Sequence, residues 1–197
     1  MKRYIYIIAF VLFSIMGHSQ IWLEGFALYS SPMQDGASSS TRDIRIDDNI
    51  YTLQNKCLFR TFAESSFGGG IHFRYVKNQL IVGMQIEYVE YQPATPLLRM
   101  TMFRLGPTVE YFFLPKGKIH PYVGGEVGIQ QPKVFYNGEI INRGQLSATY
   151  IGVGARGGVA YDLSQKFAVR LGLKYVYLRD LPYLDVSLGI AYNFGDF

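Results

Sequence analysis

Ten charged residues stand out in this sequence because they lie in segments where apolar and polar residues alternate. Successive side chains of a strand point to opposite faces of a sheet, so the alternation places these ten together on the polar face. Five are acidic and five are basic: Glu24, Glu87, Glu110, Glu126 and Asp185, with Arg74, Arg104, Arg156, Arg170 and Lys174. If that face is enclosed, the charges must pair, because an unpaired buried charge is strongly destabilising. The pattern therefore predicts a network of ion pairs.

Catalytic and metal-binding patterns are much weaker. His72 and His120 are the only histidines beyond the N-terminal segment, whereas a zinc site needs three or four ligands. His72 is predicted on the polar face of a strand and His120 in a turn, and no serine is an evident nucleophilic partner for His72. The glycines at 68–70 lack the Lys-Ser/Thr of a phosphate loop. Cys57 is the only cysteine and can form no internal disulfide. The sequence predicts neither an enzyme nor a cofactor.

Residues 1–19 have the composition of a secretory signal peptide. Lys2 and Arg3 precede an apolar stretch, 5–16, of about the length that such signals need, with cleavage expected before Gln20. An N-terminal membrane anchor is the alternative. Without residues 1–19 the chain has 17 basic and 15 acidic residues, a net charge of +2. That charge is too small to predict a nucleic-acid or strongly acidic partner.

The alternating segments number eight, and each has about the length of ten residues that a tilted strand needs to cross a bilayer. The predicted strands are 20–30, 66–76, 80–91, 98–113, 121–131, 146–161, 167–178 and 183–194. In the seventh, for example, the apolar Leu171 stands between Arg170 and Gly172. Because one face is apolar and the other carries charges and glycines, we expect an all-β, eight-stranded, antiparallel, up-and-down transmembrane β-barrel with its apolar face toward lipid.

Shorter and longer connections alternate between these segments along the sequence. Outer-membrane barrels have short periplasmic turns and longer outside loops. The segment 31–65 is the longest connection and follows the first strand, so it is predicted to be extracellular. A short hairpin is expected within it, around 47–49. This loop either carries a binding function or is a solvated, variable segment.

Aromatic residues lie near both ends of the predicted strands, where amphipathic rings favour the headgroup level of a membrane. The expected outer group is Tyr29, Phe67, Tyr88, Tyr175, Tyr177 and Tyr183, and the expected periplasmic group is Tyr75, Tyr111, Phe113, Tyr161, Phe167, Tyr192 and Phe194. A soluble β-sandwich would also alternate, but it would not need so many charges and glycines on its polar face. The placement of the aromatic residues thus favours a membrane barrel.

The C-terminal residues 190–197 carry a family resemblance. They are similar to the C-terminal targeting strand of small outer-membrane barrels, in which apolar residues alternate up to a final aromatic residue; Tyr192, Phe194 and Phe197 match that pattern. Phe194 keeps the alternation and Phe197 follows a Gly-Asp step, so either one ends the signal. Residues 20–197 as a whole resemble the OmpA-type and OmpX-type eight-stranded barrels, a porin-like family. This resemblance implies an integral protein of the Gram-negative outer membrane that contacts its lipids and is inserted by the barrel-assembly machinery.

Three roles remain open for such a barrel. The interior of eight strands is just wide enough for side chains to fill, which favours a lumen plugged by charged residues and a structural or surface-interaction role. The first alternative is a narrow pore for ions or small solutes. The second is an accessory barrel that docks to a secretion or assembly machine. A surface or periplasmic protein partner is compatible with each role, and the sequence does not identify one.

Overall fold

The structure is a computed structural model, and it describes residues 20–33, 42–46, 49–53, 66–91, 98–114, 116–136, 139–140, 149–178 and 182–196. The strands are β1 (Gln20–Pro32), β2 (Arg42–Ile46), β3 (Asn49–Leu53), β4 (Ser66–Lys77), β5 (Leu80–Tyr91), β6 (Leu98–Phe112), β7 (Ile119–Tyr136), β8 (Glu139–Ile140), β9 (Tyr150–Asp162), β10 (Phe167–Tyr177) and β11 (Tyr183–Asp196). None of the residues described belongs to a helix long and apolar enough to cross a membrane. The predicted signal peptide, 1–19, lies outside the described residues and stays a prediction.

Eight of these strands form a closed barrel. β1, β4, β5, β6, β7, β9, β10 and β11 each pair antiparallel with the strands before and after them in the barrel. The barrel closes where β1 pairs with β11, from Gln20 opposite Asp196 to Pro32 opposite Tyr183. No barrel strand is left with an unpaired edge, which is the condition for burying a sheet in lipid. The predicted fold, an eight-stranded antiparallel up-and-down barrel, is confirmed.

The termini of the barrel lie at one end, which we call the turn end, together with the connections 78–79, 113–118 and 163–166. Asn78 adopts a left-handed φ of 55°, which closes the tight turn between β4 and β5 there. The opposite end, which we call the loop end, carries the connection between β1 and β4. Within that connection β2 and β3 pair as an antiparallel hairpin, Ile46 opposite Asn49, as the sequence predicts. The rest of the predicted loop 31–65 lies mostly outside the described residues.

Strand β7 is longer than predicted. The sequence places a strand at 121–131, between two prolines, which cannot donate to a sheet ladder. In the structure β7 continues past both prolines. At its start Ile119 lies opposite Tyr161 of β9, and at its end Tyr136 lies opposite Leu98 of β6. His120 therefore belongs to β7, and its predicted position in a turn is wrong. β9 begins at Tyr150, whereas the predicted strand starts at 146; residues 146–148 are outside the described part of the chain.

The side chains are arranged inside out relative to a water-soluble protein. On β10, Leu171 and Leu173 are 56% and 53% exposed, whereas Arg170 and Lys174 are 4% and 6% exposed. The same alternation runs along the other barrel strands, so apolar side chains cover the outer face. An apolar surface that surrounds the whole molecule is the signature of a barrel embedded in lipid.

Aromatic pairs occupy both ends of that outer face. Tyr29 and Phe67 contact each other near the loop end with ring centroids 5.4 Å apart, and Tyr192 lies 5.1 Å from Phe167 near the turn end. One expected member of the outer group is wrongly placed. Tyr183 is fully buried in the lumen, because it lies two residues before Asp185 and therefore on the same, inner face of β11.

The outer face provides a test of the membrane orientation of the strands. Leu171→Arg, near the middle of β10, should destabilise the folded barrel in lipid vesicles by about 2–4 kcal/mol, because a charged side chain there meets the bilayer core. Leu163→Arg is the matched control: Leu163 is 58% exposed but lies in the turn after β9, where the change should cost about 0–1 kcal/mol. The measurement is equilibrium unfolding in vesicles, and equal losses in the two variants would contradict the lipid-facing assignment.

Candidate functional site: the charged lumen

The structure places all ten charged residues of the predicted network inside the barrel. Each of their side chains is at most 9% exposed. Every barrel strand contributes at least one of them: Glu24 from β1, Arg74 from β4, Glu87 from β5, Arg104 and Glu110 from β6, Glu126 from β7, Arg156 from β9, Arg170 and Lys174 from β10, and Asp185 from β11. The alternation of side chains along each strand accounts for this placement, because all ten residues occupy inward-facing positions.

Four of the ten form a cluster toward the loop end, the loop-end cluster: Glu87, Arg104, Lys174 and Asp185. Arg104 Nη1 donates to Asp185 Oδ2 at 2.6 Å. Lys174 Nζ donates to both oxygens of Glu87, at 2.6 and 2.7 Å, and lies 3.3 Å from Asp185 Oδ2. Two cations and two anions are thus held together with short, charge-assisted hydrogen bonds.

Arg104 has further partners on the loop-end side of this cluster. Its Nη2 donates to the hydroxyl of Tyr91 at 2.7 Å, and its guanidinium carbon lies 3.9 Å from the centre of the Tyr183 ring. The aromatic face attracts the cation, and the hydroxyl satisfies a donor that would otherwise be buried alone. Arg104 is therefore bonded on several sides at once, and Tyr183 has a role in the lumen that the sequence did not predict.

A second group, the turn-end cluster, contains Glu24, Arg74, Glu110 and Arg170. Arg170 Nη2 donates to Glu110 Oε2 at 2.8 Å, and Arg74 forms an ion pair with Glu24 through its Nη1. Arg74 Nε also lies 3.6 Å from Glu110 Oε2. The guanidinium of Arg170 lies 4.0 Å from the centre of the Tyr122 ring.

Arg156 and Glu126 connect the two clusters. Arg156 Nε lies 3.0 Å from Glu110 Oε1, and its Nη1 donates to Gln85 Oε1 at 2.7 Å. Glu126 accepts a hydrogen bond of 2.7 Å from the amide of Gln85 and lies 3.6 Å from Lys174 Nζ. Gln85 is an uncharged member that the predicted network does not include; it is buried in β5, two residues before Glu87 and on the same inner face. The polar contacts consequently run without a break along the lumen.

Inward glycines make room for the acidic side chains. A Cβ atom added to Gly124 would lie 3.0 Å from Glu110 Cγ, and one added to Gly154 would lie 2.9 Å from Glu126 Cγ. These separations are shorter than Cβ atoms usually show, and the added atoms would also meet the neighbouring backbone, at Val109 O for Gly124 and at Tyr175 O for Gly154. A larger residue would therefore push aside the neighbouring strand or the carboxylate. The same relation holds between Gly70 and Glu87, at 3.1 Å. The glycines at these positions are part of the network's geometry.

The two histidines have separate partners. His72 Nε2 lies 2.8 Å from Thr108 Oγ1, and this fully buried ring has no serine partner among the described contacts. His120 Nε2 lies 2.8 Å from Asp162 Oδ2, and its Nδ1 lies 2.7 Å from the carbonyl oxygen of Leu114. The sequence does not predict the pairing of His120 with Asp162, because it does not show that β7 begins before His120. Within the part of the chain that the structure describes, no three potential ligands are grouped to hold a metal ion.

Two of the three residues predicted for the C-terminal signal are described. Tyr192 and Phe194 lie on the outer face of β11, with ring centroids 5.0 Å apart. Gly195 then adopts a positive φ of 108°, which ends the regular alternation. Phe197 lies outside the described residues. The targeting role of these residues stays a prediction.

The family of the chain follows from its sequence. The model of the Opacity family porin proteins matches residues 72–194, which is more than half of the chain. The chain belongs to this family. It is accordingly an outer-membrane β-barrel of the Opacity type, as the resemblance to small outer-membrane barrels predicts. None of the curated proteins matches the sequence.

Solved structures share the fold of this Opacity-family chain at low sequence identity. Neisserial surface protein A is 18% identical with a TM-score of 0.62, and the match covers 88% of this chain and 97% of that protein. Ail, the attachment invasion locus protein of Yersinia pestis, is 17% identical with a TM-score of 0.55 over 90% and 99% of the two chains. OprG of Pseudomonas aeruginosa is 14% identical with a TM-score of 0.57 over 91% and 97%. These likenesses show a common barrel fold.

Substitutions of two arginines in β6 compare the loss of a buried ion pair with the loss of an exposed one. Arg104→Ala should lower the free energy of unfolding by about 3–5 kcal/mol, because it leaves buried carboxylates without a partner. Arg99→Ala is the control: Arg99 Nε lies 2.7 Å from Glu90 Oε1, but the two side chains are 56% and 46% exposed, so the loss should be at most about 1 kcal/mol. Denaturant unfolding in vesicles measures both, and similar losses would show that burial does not strengthen the network.

Proposed function

We propose that this protein is a closed outer-membrane barrel whose lumen is plugged by its ion-pair network and whose loop end serves as a surface for contact with a partner. The proposal depends on one observation: the ion pairs join opposite walls of the barrel. In the order of the strands around the barrel, β6 lies opposite β11 and β5 lies opposite β10. Arg104 on β6 pairs with Asp185 on β11, and Glu87 on β5 pairs with Lys174 on β10.

Cross-lumen pairs of this kind favour a plug over an open channel. Side chains that meet from opposite walls occupy the axis along which a solute would pass. Opening a path would require separating buried opposite charges, whose attraction is strong where water is scarce. The plug also connects all eight barrel strands to one another, so it should make the barrel rigid.

The loop end supports the role in surface contact. β7 runs to Tyr136 and pairs there with the short β8, so the wall of the barrel extends on this side. Charged side chains such as Arg99, Glu90 and Lys133 are exposed on it. Proteins of the same fold include one named for attachment and invasion, Ail, and a Neisserial surface protein. Rigid scaffolds that present loops and strand ends commonly bind through them.

A narrow pore is the second candidate, and two observations favour it. The family is described as one of porins. A space of about 10 Å³ also lies within the network, lined by residues that include Arg156, Lys174, Asp185 and Ser187. That is about the room that one water molecule needs, and its lining is polar. Water or a small ion could follow such sites if the network rearranged.

Conductance measurements in planar bilayers distinguish a plugged lumen from a conducting pore. Purified wild-type protein should show no steady channels. The double variant Glu87→Ala with Lys174→Ala removes one cross-lumen pair without leaving either partner unpaired, and it should conduct measurably more than the wild type. Steady, ion-selective currents from the wild type would overturn the plug and establish the pore.

Labelling of intact cells tests whether the loop end faces outward. In a Cys57→Ser background, Lys133→Cys on β7 should react with a membrane-impermeant maleimide on intact cells. Lys118→Cys, an equally simple change at an exposed residue of the turn end, should react only after the outer membrane is permeabilised. The reverse pattern would show that the turn end is at the surface and would remove the basis for surface contact at the loop end.

A further inference from the structure

A cavity of about 250 Å³ lies at the turn end of the lumen, next to the turn-end cluster. Trp22 and Phe112 contribute aromatic surface to its wall, and alanines such as Ala168 contribute small apolar surface. Arg74 and Arg170 also line it. A cavity of about 150 Å³ is known to hold benzene, so this one has room for a ring or a short branched chain with a polar group attached.

The charges that reach this cavity are unbalanced. Arg74 and Arg170 line it, but their counter-ions Glu24 and Glu110 do not. Within the turn-end cluster two guanidinium groups are matched by two carboxylates, so the imbalance lies only in which of these groups reach the cavity. The cavity therefore meets the cationic side of the network, with the carboxylates on the far side of the arginines.

Both arginines also retain a hydrogen-bond donor without an acceptor. Arg74 Nε lies 3.6 Å from its carboxylate neighbour Glu110, and Arg170 Nε lies 3.8 Å from Glu24. Both distances are too long for a hydrogen bond, and among the described residues neither nitrogen has another partner. The two residues are only 3% and 4% exposed, and these two Nε atoms are buried next to the carboxylates. The guanidinium groups are thus incompletely bonded within the network, and a further acceptor that contacted them would be favourable.

The remaining titratable groups of the cavity do not cancel this preference. Asp162 is the only acidic residue among those that line it, and His120 Nε2 lies 2.8 Å from its carboxylate. The other nitrogen of that ring faces the carbonyl oxygen of Leu114 at 2.7 Å. Asp162 is thus engaged in its own contact, whereas the two arginines are incompletely bonded within the network.

We infer that this cavity binds a small organic carboxylate that enters from the turn end, with the carboxylate at Arg74 and Arg170 and the apolar part against Trp22 and Phe112. A carboxylate supplies acceptors to buried guanidinium donors, which is the strong form of hydrogen bond in proteins. The aromatic and alanine wall selects a ligand with an apolar body. This site lies at the opposite end from the proposed contact surface and does not depend on it.

Trp22 makes the site directly measurable because it is the only tryptophan in the chain. The experiment titrates cyclohexanecarboxylate, which is transparent in the tryptophan region, into the purified protein and records the fluorescence of Trp22. Cyclohexanecarboxamide, of nearly the same size but uncharged, is the matched probe. The carboxylate should give a saturable change, and the amide should bind at least about tenfold more weakly, as expected for the loss of a hydrogen bond to a charged group.

Two variants locate the binding. Ala168→Leu fills the cavity without touching a charge and should abolish the saturable change, whereas Ala155→Leu, on the lipid-facing side of β9, should leave it intact. Arg170→Gln should weaken binding at least about tenfold if the variant folds. Three results would each overturn the inference: no saturable change in the wild type, equal binding of the amide, or unchanged binding in Ala168→Leu. None of them would alter conductance or surface labelling, so the proposed function is tested separately.

Discussion

Lipid on the outside of a closed barrel forces its charged side chains into an interior that eight strands make only just wide enough to fill. Charges in that space can neither reach bulk water nor move apart, so each must find an opposite charge. The ten charged residues meet this condition by number, since five are acidic and five are basic, and by placement, since every strand contributes at least one. The arrangement of glycines, tyrosines and amides in the lumen follows from the need to hold these pairs.

The glycines show how closely backbone and charge are matched. Glutamate side chains need length to reach a cation on another strand, and that length has to pass over the inner face of a neighbouring strand. Gly70, Gly124 and Gly154 leave the necessary space beside Glu87, Glu110 and Glu126. A lumen of uniformly medium-sized residues could be equally well packed, but it could not contain long side chains that cross it. Large and small residues are therefore complementary across neighbouring strands.

Much of this molecule is predictable from sequence because the period of a strand is two. The alternation of side chains along β10 is enough to place Lys174 on the inner face and Leu171 on the outer face. Pairing across the lumen is not predictable in that way. Lys174 and Glu87 are 87 residues apart, and they meet only because the closure of the barrel sets β5 opposite β10. The contact of His120 with Asp162 depends in turn on where β7 begins, and strand ends are less strongly encoded than strand faces.

The cross-lumen pairs bear on how the barrel reaches one register as it assembles. If β11 slipped by two residues against β1, every side chain would still face the correct side, and lipid would not distinguish the slipped barrel from the native one. Asp185, however, would move by two residues along the axis and away from Arg104. Such a slip at the junction of β11 with β1 would therefore break a buried ion pair although it leaves every apolar side chain facing lipid. The buried charges thus favour the native alignment over alignments that differ from it by two residues.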